Sequence, residues 1–184
     1  VATDEVLGQG GYLTPHLAVA LGALADAQRH HAAQIVARCA KLMSERLSGL
    51  PRGLGDAGAG SAGMGPVLKT AEALAAEIGH LAAPAPVHPG FSTDGVEDVQ
   101  THVAIPSKAA LGITARLRRL VAVELVVAAQ AAERRGLGDR LAPPLRPALA
   151  ALRETSPALA ADRPLGEEIE ALAAQVGAGV FGAP

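Results

Sequence analysis

The run LRRLVAVELVVAAQAAERR, from Leu117 to Arg135, restricts this chain more than any other stretch. Alanine, leucine, arginine, glutamate and glutamine stand at the favourable end of helix propensity, and no turn residue interrupts them. A second run, from Pro15 to about Met43, carries Leu17, Leu21, Leu24, Gln28, Ile35, Cys39 and Leu42 at spacings of three, four or seven. That spacing predicts a helix about 40 Å long at a rise of about 1.5 Å per residue. Apolar residues make up 49% of the chain, yet aromatics only 2%. Thin alanine side chains let helices approach closely but give each buried face little apolar area. The shortfall is expected to be met by association with other chains.

Turn residues divide the rest. Thr14 is the expected N-cap of the first helix and Pro15 suits its first turn. SGLP, Ser48 to Pro51, ends it, and a glycine-rich loop follows at about 52–65, too permissive for regular structure. A second helix is predicted from Pro66 to Leu81, with Val67, Thr70, Leu74 and Ile78 on one face. Pro84, Pro86 and Pro89 then impose an extended loop at about 83–96. Further helices are expected at about Ser107–Arg135, Pro147–Thr155 and Leu165–Val176, the last with Glu167 and Glu168 placed to favour its dipole. No strand-like alternation of any length is visible. The expected fold is all-α, a bundle of long near-parallel helices forming part of an oligomeric helical core. Residues 1–14 form a lead-in and 15–184 a single helical domain.

Composition excludes several functions. A net charge of −2 and a pI near 6.3 leave no electrostatic footprint for nucleic acid or an anionic membrane. The apolar runs are broken by charge before membrane-spanning length. VATDEV lacks the basic and apolar regions of a signal peptide, and with no initiator methionine the start is expected to be a processed or cleaved end. One cysteine, Cys39, fits a reducing, cytoplasmic setting and sits on the apolar stripe as a small core residue. His30 and His31 are adjacent on a helix and cannot share an ion comfortably, and the other histidines show no ligand spacing, so no metal site is expected.

Several short pieces stand in a telling order: EVL at Glu5 to Leu7 with a glycine cluster and Gly11-Tyr12, LSGLP at Leu47 to Pro51, Ser61-Ala62-Gly63, Pro84-Ala85 with Val87, Glu97-Asp98, VAVELVVAAQ at Val121 to Gln130, and DRPL at Asp162 to Leu165 before EEIE. Together they resemble the C-terminal portion of the aromatic amino acid ammonia-lyases and aminomutases, histidine ammonia-lyases in particular. That family uses a 4-methylidene-imidazol-5-one (MIO) electrophile made from its own backbone. Gly11-Tyr12 stands at the family's Asn-Phe position and Ser61-Ala62-Gly63 where an Asn-Ser-Gly triplet is usual, and Leu68 replaces a polar residue; the departures at His88, at Phe91 to Gly95 and at Leu68 bear on the substrate.

The resemblance implies an amino acid substrate and places Tyr12, Glu97 and Phe91 in its binding pocket. Glu97 is the one candidate for a part in catalysis, since a carboxylate in a partly desolvated pocket can accept or share a proton. Tyr12 and Phe91 are two of three aromatics in the chain and both fall in loops, where a ring lines a pocket more readily than it fills a helix core. Asp98 is expected to hold the loop through backbone N–H groups. Glu124, amid Val123, Leu125 and Val126, should need an arginine partner, with Arg116, Arg118 and Arg119 as candidates. The Ala-Ser-Gly tripeptide that makes the MIO group is absent, and AGSAG at Ala59 to Gly63 has the wrong order. The expectation is therefore a split enzyme: a second chain with the N-terminal lyase portion carries the MIO group and the catalytic tyrosine, in a tetramer or hetero-oligomer. The alternative is a non-catalytic helical scaffold or regulatory subunit derived from the same family. Lyase and aminomutase remain equally open.

Overall fold

A computed structural model of the chain describes residues 13–56, 60–84, 88–95 and 97–182. Six helices carry the described fold: α1 (Pro15–Met43), the single turn α2 (Glu45–Ser48), α3 (Gly65–Leu81), α4 (Ala104–Arg134), α5 (Leu145–Thr155) and α6 (Gly166–Gly177). The all-α expectation holds. Two short strands, β1 (His88–Ser92) and β2 (Glu97–Gln100), pair antiparallel where only an extended loop was expected. Strands of five and four residues are too short to display an alternation, and Pro89 and Gly90 inside β1 blur what there is. Between the helices, the glycine-rich stretch opens with a tight turn at Arg52–Leu54, in which Gly53 (φ 66°) and Leu54 (φ 58°) are left-handed.

Pro15 begins α1 as its missing N–H allows. Thr14 stands at the N-cap position but makes no side-chain cap bond, because its backbone is left-handed (φ 51°, ψ 43°). A capping side chain needs an extended backbone to reach back to the first-turn N–H groups.

Helices α1 and α4 run parallel. The Gln28 amide donates to the Thr114 hydroxyl at 3.3 Å and Arg38 donates to Glu124 at 3.0 Å, each pair separated by 86 residues. Arg38 is thus the partner of Glu124, not Arg116, Arg118 or Arg119. Those three face other elements: Arg116 pairs with Glu77 of α3, Arg119 with Glu170 of α6, and Arg118 lies over Gly177. Helix α3 runs the opposite way, with Glu77 beside Arg116 and Leu81 beside Gly112. The core lies among these helices and α6. Ile35, Cys39, Ile78, Ile113, Leu120, Val123, Val127 and Leu172 are all removed from solvent. The buried face of α1 is Ala25, Ala32, Ile35, Cys39 and Met43, whereas Leu17 and Leu24 of the expected stripe stay exposed.

The C-terminal segment is fastened across α4. The buried Gln130 amide donates to the Leu159 carbonyl and accepts from its N–H, both at 3.0 Å, completing two main-chain hydrogen bonds away from water. Arg153 donates to both oxygens of Glu133, at 2.9 and 2.7 Å. Among the described residues no helix is long and apolar enough to cross a membrane.

Candidate functional site

Two segments distant in sequence meet where α1 and α4 begin. The Thr101 hydroxyl donates to the Leu13 carbonyl at 2.5 Å, and Thr101 is buried. Each partner is followed by a non-glycine residue with positive φ, Thr14 (51°) after Leu13 and His102 (46°) after Thr101. Each of these opens its helix, the Thr14 carbonyl accepting from Ala18 N–H at 3.2 Å and the His102 carbonyl from Ile105 N–H at 2.8 Å. Upstream of Thr101 lies β2, paired with β1 in the register His88 to Gln100, Pro89 to Val99 and Ser92 to Glu97, with an irregularity between Pro89 and Ser92. Gly90 permits this close pairing, since a Cβ there would stand 3.1 Å from the Glu97 carbonyl.

Beside this junction is a cavity of about 610 Å³, walled by Ala18 and Gly22 of α1, Leu81 and Pro84 at the end of α3, and Thr101 and Pro106. Its ionic groups are Asp26 and Arg29, paired at 2.5 Å. Hydrogen bonding from Arg29 is the largest of the influences that hold the Asp26 carboxyl below its ordinary value. The walls can take an apolar group, with the Asp26–Arg29 ion pair to orient it.

The sequence-predicted residues distribute as follows. Glu97 opens β2, half-buried, four residues before Thr101, and is not part of the cavity wall. Phe91 lies in β1 and Asp98 in β2, and their side chains fall outside the described set. Tyr12, the residue before Leu13 in sequence, also lies outside the described residues.

A second constellation carried no local signal. Asp162, of the DRPL motif, receives the Ser61 hydroxyl and the N–H groups of Ala62 and Gly63, the latter two at 2.8 and 3.1 Å. Two motif pieces about a hundred residues apart thus form one clamp. The Ser61 bond first, then the Ala62 and Gly63 N–H groups, holds the Asp162 carboxyl below its ordinary value. Gly63 must be glycine: its φ is 55° and a Cβ would stand 2.5 Å from the Gly53 carbonyl oxygen. The serine of this Ser-Ala-Gly run is engaged with a carboxylate, and Ala-Ser-Gly occurs nowhere in the chain. These residues do not fit the self-made MIO electrophile.

Burial pushes the Cys39 thiol up to about 11, with the nearby Glu124 charge adding to it, so it is no nucleophile. Among the described residues no group of three His, Cys, Asp or Glu is placed to hold a metal ion.

The sequence matches the family model for aromatic amino acid lyases over residues 1–154. The chain belongs to the aromatic amino acid lyase family. It is 38% identical to a histidine ammonia-lyase of Symbiobacterium thermophilum over 92% of its own length and 33% of the relative's. It is 37% identical to a tyrosine ammonia-lyase of Cereibacter sphaeroides, over 89% of this chain and 32% of that protein. The fold superposes on tyrosine aminomutase from Streptomyces globisporus with a TM-score of 0.86 at 25% identity, covering 98% of this chain and 35% of that one. The chain spans about a third of the length of the curated family members it matches.

Proposed function

We propose that this chain is the C-terminal pocket-and-scaffold component of an MIO-dependent ammonia-lyase or aminomutase acting on an amino acid. In this reading Glu97, Tyr12 and Phe91 contact the substrate, Glu97 by binding charge or sharing a proton, and the long helices join an oligomeric core in the cytoplasm. Residues 1–14 serve as the pocket lead-in and 15–184 as one helical domain. The MIO group and the catalytic tyrosine are carried by a second chain, the N-terminal portion of the enzyme. The observation that carries the reading is the Thr101–Leu13 hydrogen bond, which joins the two segments that the family resemblance assigns to the pocket. Its complement is the missing Ala-Ser-Gly tripeptide. Chemistry on an unactivated amino acid requires an electron sink, and none of the twenty side chains is one.

The test is co-expression with a polypeptide bearing Ala-Ser-Gly. Turnover of an aromatic amino acid should appear only with both chains, and intact mass should find the second chain about two waters lighter than its gene specifies. In the assembled enzyme Glu97→Gln should lower turnover or shift substrate preference with assembly intact. A pocket carboxylate of this kind contributes about 1.5–4 kcal/mol to the transition state, roughly 10- to 1000-fold in rate. Lyase activity from these residues alone, or normal kinetics for Glu97→Gln on every accepted substrate, would overturn the corresponding part of the proposal. A stable assembly without turnover on any amino acid would favour the other reading, a scaffold or regulatory subunit. That reading draws on the departures at Gly11, Ser61 and Leu68.

A further inference from the structure

We infer that Thr101 is a positioning residue for the pocket: its hydroxyl, bonded to the Leu13 carbonyl, fixes the strand that carries Glu97 against the segment that leads into α1. The inference rests on the pocket reading above and adds to it a residue that touches no substrate.

The geometry is specific. Thr101 ends the run that begins with Glu97 in β2, and Leu13 ends the run before α1. Past each of them the chain reverses through a left-handed, non-glycine residue and enters a long helix. A left-handed backbone at Thr14 and at His102 costs energy, and such conformations persist only where the surroundings over-determine them. The Thr101–Leu13 bond spans both junctions at the point where each begins. Because α1 and α4 run parallel, the two helices alone permit the approach segments to slide along the common axis. The Gln28–Thr114 and Arg38–Glu124 contacts fix the register of the helix bodies but lie beyond the junctions. The Thr101 hydroxyl ties approach segment to approach segment. Thr101 is also a wall residue of the neighbouring cavity, so a displaced threonine alters its shape as well.

A side chain placed by β2 turns with β2. Small displacements of reacting groups cost much more in turnover than in stability, which separates positioning from mere support. The backbone carbonyl of Leu13 accepts from any hydroxyl in reach, so serine should substitute for threonine and valine, of the same shape, should not.

The experiment compares Thr101→Ser, Thr101→Val and Thr101→Ala in the full chain assembled with the Ala-Ser-Gly-bearing polypeptide. Expected are kcat/KM near that of the unaltered enzyme for the serine variant and a loss of about 10-fold for valine. The loss should lie in KM and kcat per assembled active site, not in the amount assembled. Thr101→Ala supplies a second hydroxyl-free side chain should valine disturb assembly. In a Glu97→Gln background the valine effect should shrink, since the group being aligned is already altered. Kinetics per active site that are equal for Thr101→Val, Thr101→Ala and the unaltered enzyme would overturn the inference while the pocket reading stands. Equal valine effects with and without Glu97→Gln would also overturn it. An unaltered assembly with no turnover would overturn the pocket reading, and this inference with it.

Discussion

Helices α1 and α4 are each continuous, but their two halves live in different surroundings. Toward Met43 and Arg134 they are enclosed: Ile35 and Cys39 of α1 and Leu120, Val123 and Val127 of α4 have no contact with solvent. The C-terminal segment is strapped across that end by Gln130, Asp162 and the Arg153–Glu133 pair. Toward Pro15 and Ala104 the same helices show Leu17, Val19, Leu24, Ile105 and Leu111 to water, the last of them 75% exposed. Since α1 and α4 are parallel, these residues share one end of the molecule, the end that carries the Thr101–Leu13 junction. Large apolar side chains left in water at one end of a fold are candidates for contact with another surface. The helix pair is thus closed over by its own chain at one end and leaves large apolar side chains in water at the other. Under the proposed function, the N-terminal lyase portion is what would cover that end.

The sharpest way to break this contrast is a leucine truncated at each end. Leu120→Ala should cost about 2–5 kcal/mol, because its site is fully enclosed and cannot collapse around the loss. Leu24→Ala, at a position 47% exposed, should change the stability of the chain alone by less than about 0.5 kcal/mol. Denaturant melts of the two variants measure the difference. Under the proposed oligomeric assembly, Leu24→Ala should nevertheless weaken association in sedimentation. Similar costs at both positions would mean that the chain encloses its own apolar end.

The sequence carried this contrast only in part. Helical periodicity placed the helices within a few residues, and proline and glycine placed most of their limits. It also marked Leu17 and Leu24 as members of a stripe. Whether a stripe faces the chain's own core or another chain depends on what lies opposite, and period alone does not encode that. Periodicity favoured the large leucines, whereas α1 buries Ala25 and Ala32, which allow close helix approach. Contacts between distant residues were the least visible. Glu124 showed its need for a cation, but three arginines close in sequence drew attention from Arg38, the one that helix register brings alongside. Asp162 and Ser61 were each visible as motif residues, and nothing local joined them. The segments before α1 and α4 stood out in the sequence, while the hydroxyl that links them did not, since a threonine before a helix ordinarily reads as a cap.

Gln130 tests the strap at the enclosed end. Replacing it by alanine leaves the Leu159 N–H and carbonyl without partners in a buried place, a loss of about 1–3 kcal/mol. The expected result is faster hydrogen exchange in the segment around Leu159 and in α6, with little change at the start of α1. If protection fell equally along α1, the two ends would be one cooperative unit.

The smallest effect is on acid stability, and it should also be confined to the enclosed end. Asp162 binds Ser61, Ala62 and Gly63 as a carboxylate, and those bonds hold its carboxyl below the ordinary value of 3.8. Glu168 is partly buried, which by itself raises its carboxyl, but hydrogen bonds from Arg163 and Ser156 oppose that, and it ends below its ordinary 4.5. Both groups therefore bind a proton more tightly in the unfolded chain than in the folded one. Their contribution is present in full above about pH 4.5 and is lost as pH falls through the lower, folded values. Asp162 ties the C-terminal segment to the glycine-rich loop, and Glu168 ties the end of α5 and the segment after it to the first turn of α6. The acid at the apolar end, Asp26, bonds Arg29 within one turn of α1 and ties no two elements together. Acidification below pH 4.5 should therefore loosen the segment from Ser156 to Leu165 before it affects the start of α1, as read by hydrogen exchange across a pH series. Asp162→Asn keeps an acceptor oxygen without the charge, so it should flatten the acid limb at Ser61 to Gly63 and leave the Glu168 portion in place. Acid sensitivity that begins at Pro15 instead would place the weaker end of the molecule where the apolar contacts are, and would reverse the order inferred from the carboxylates.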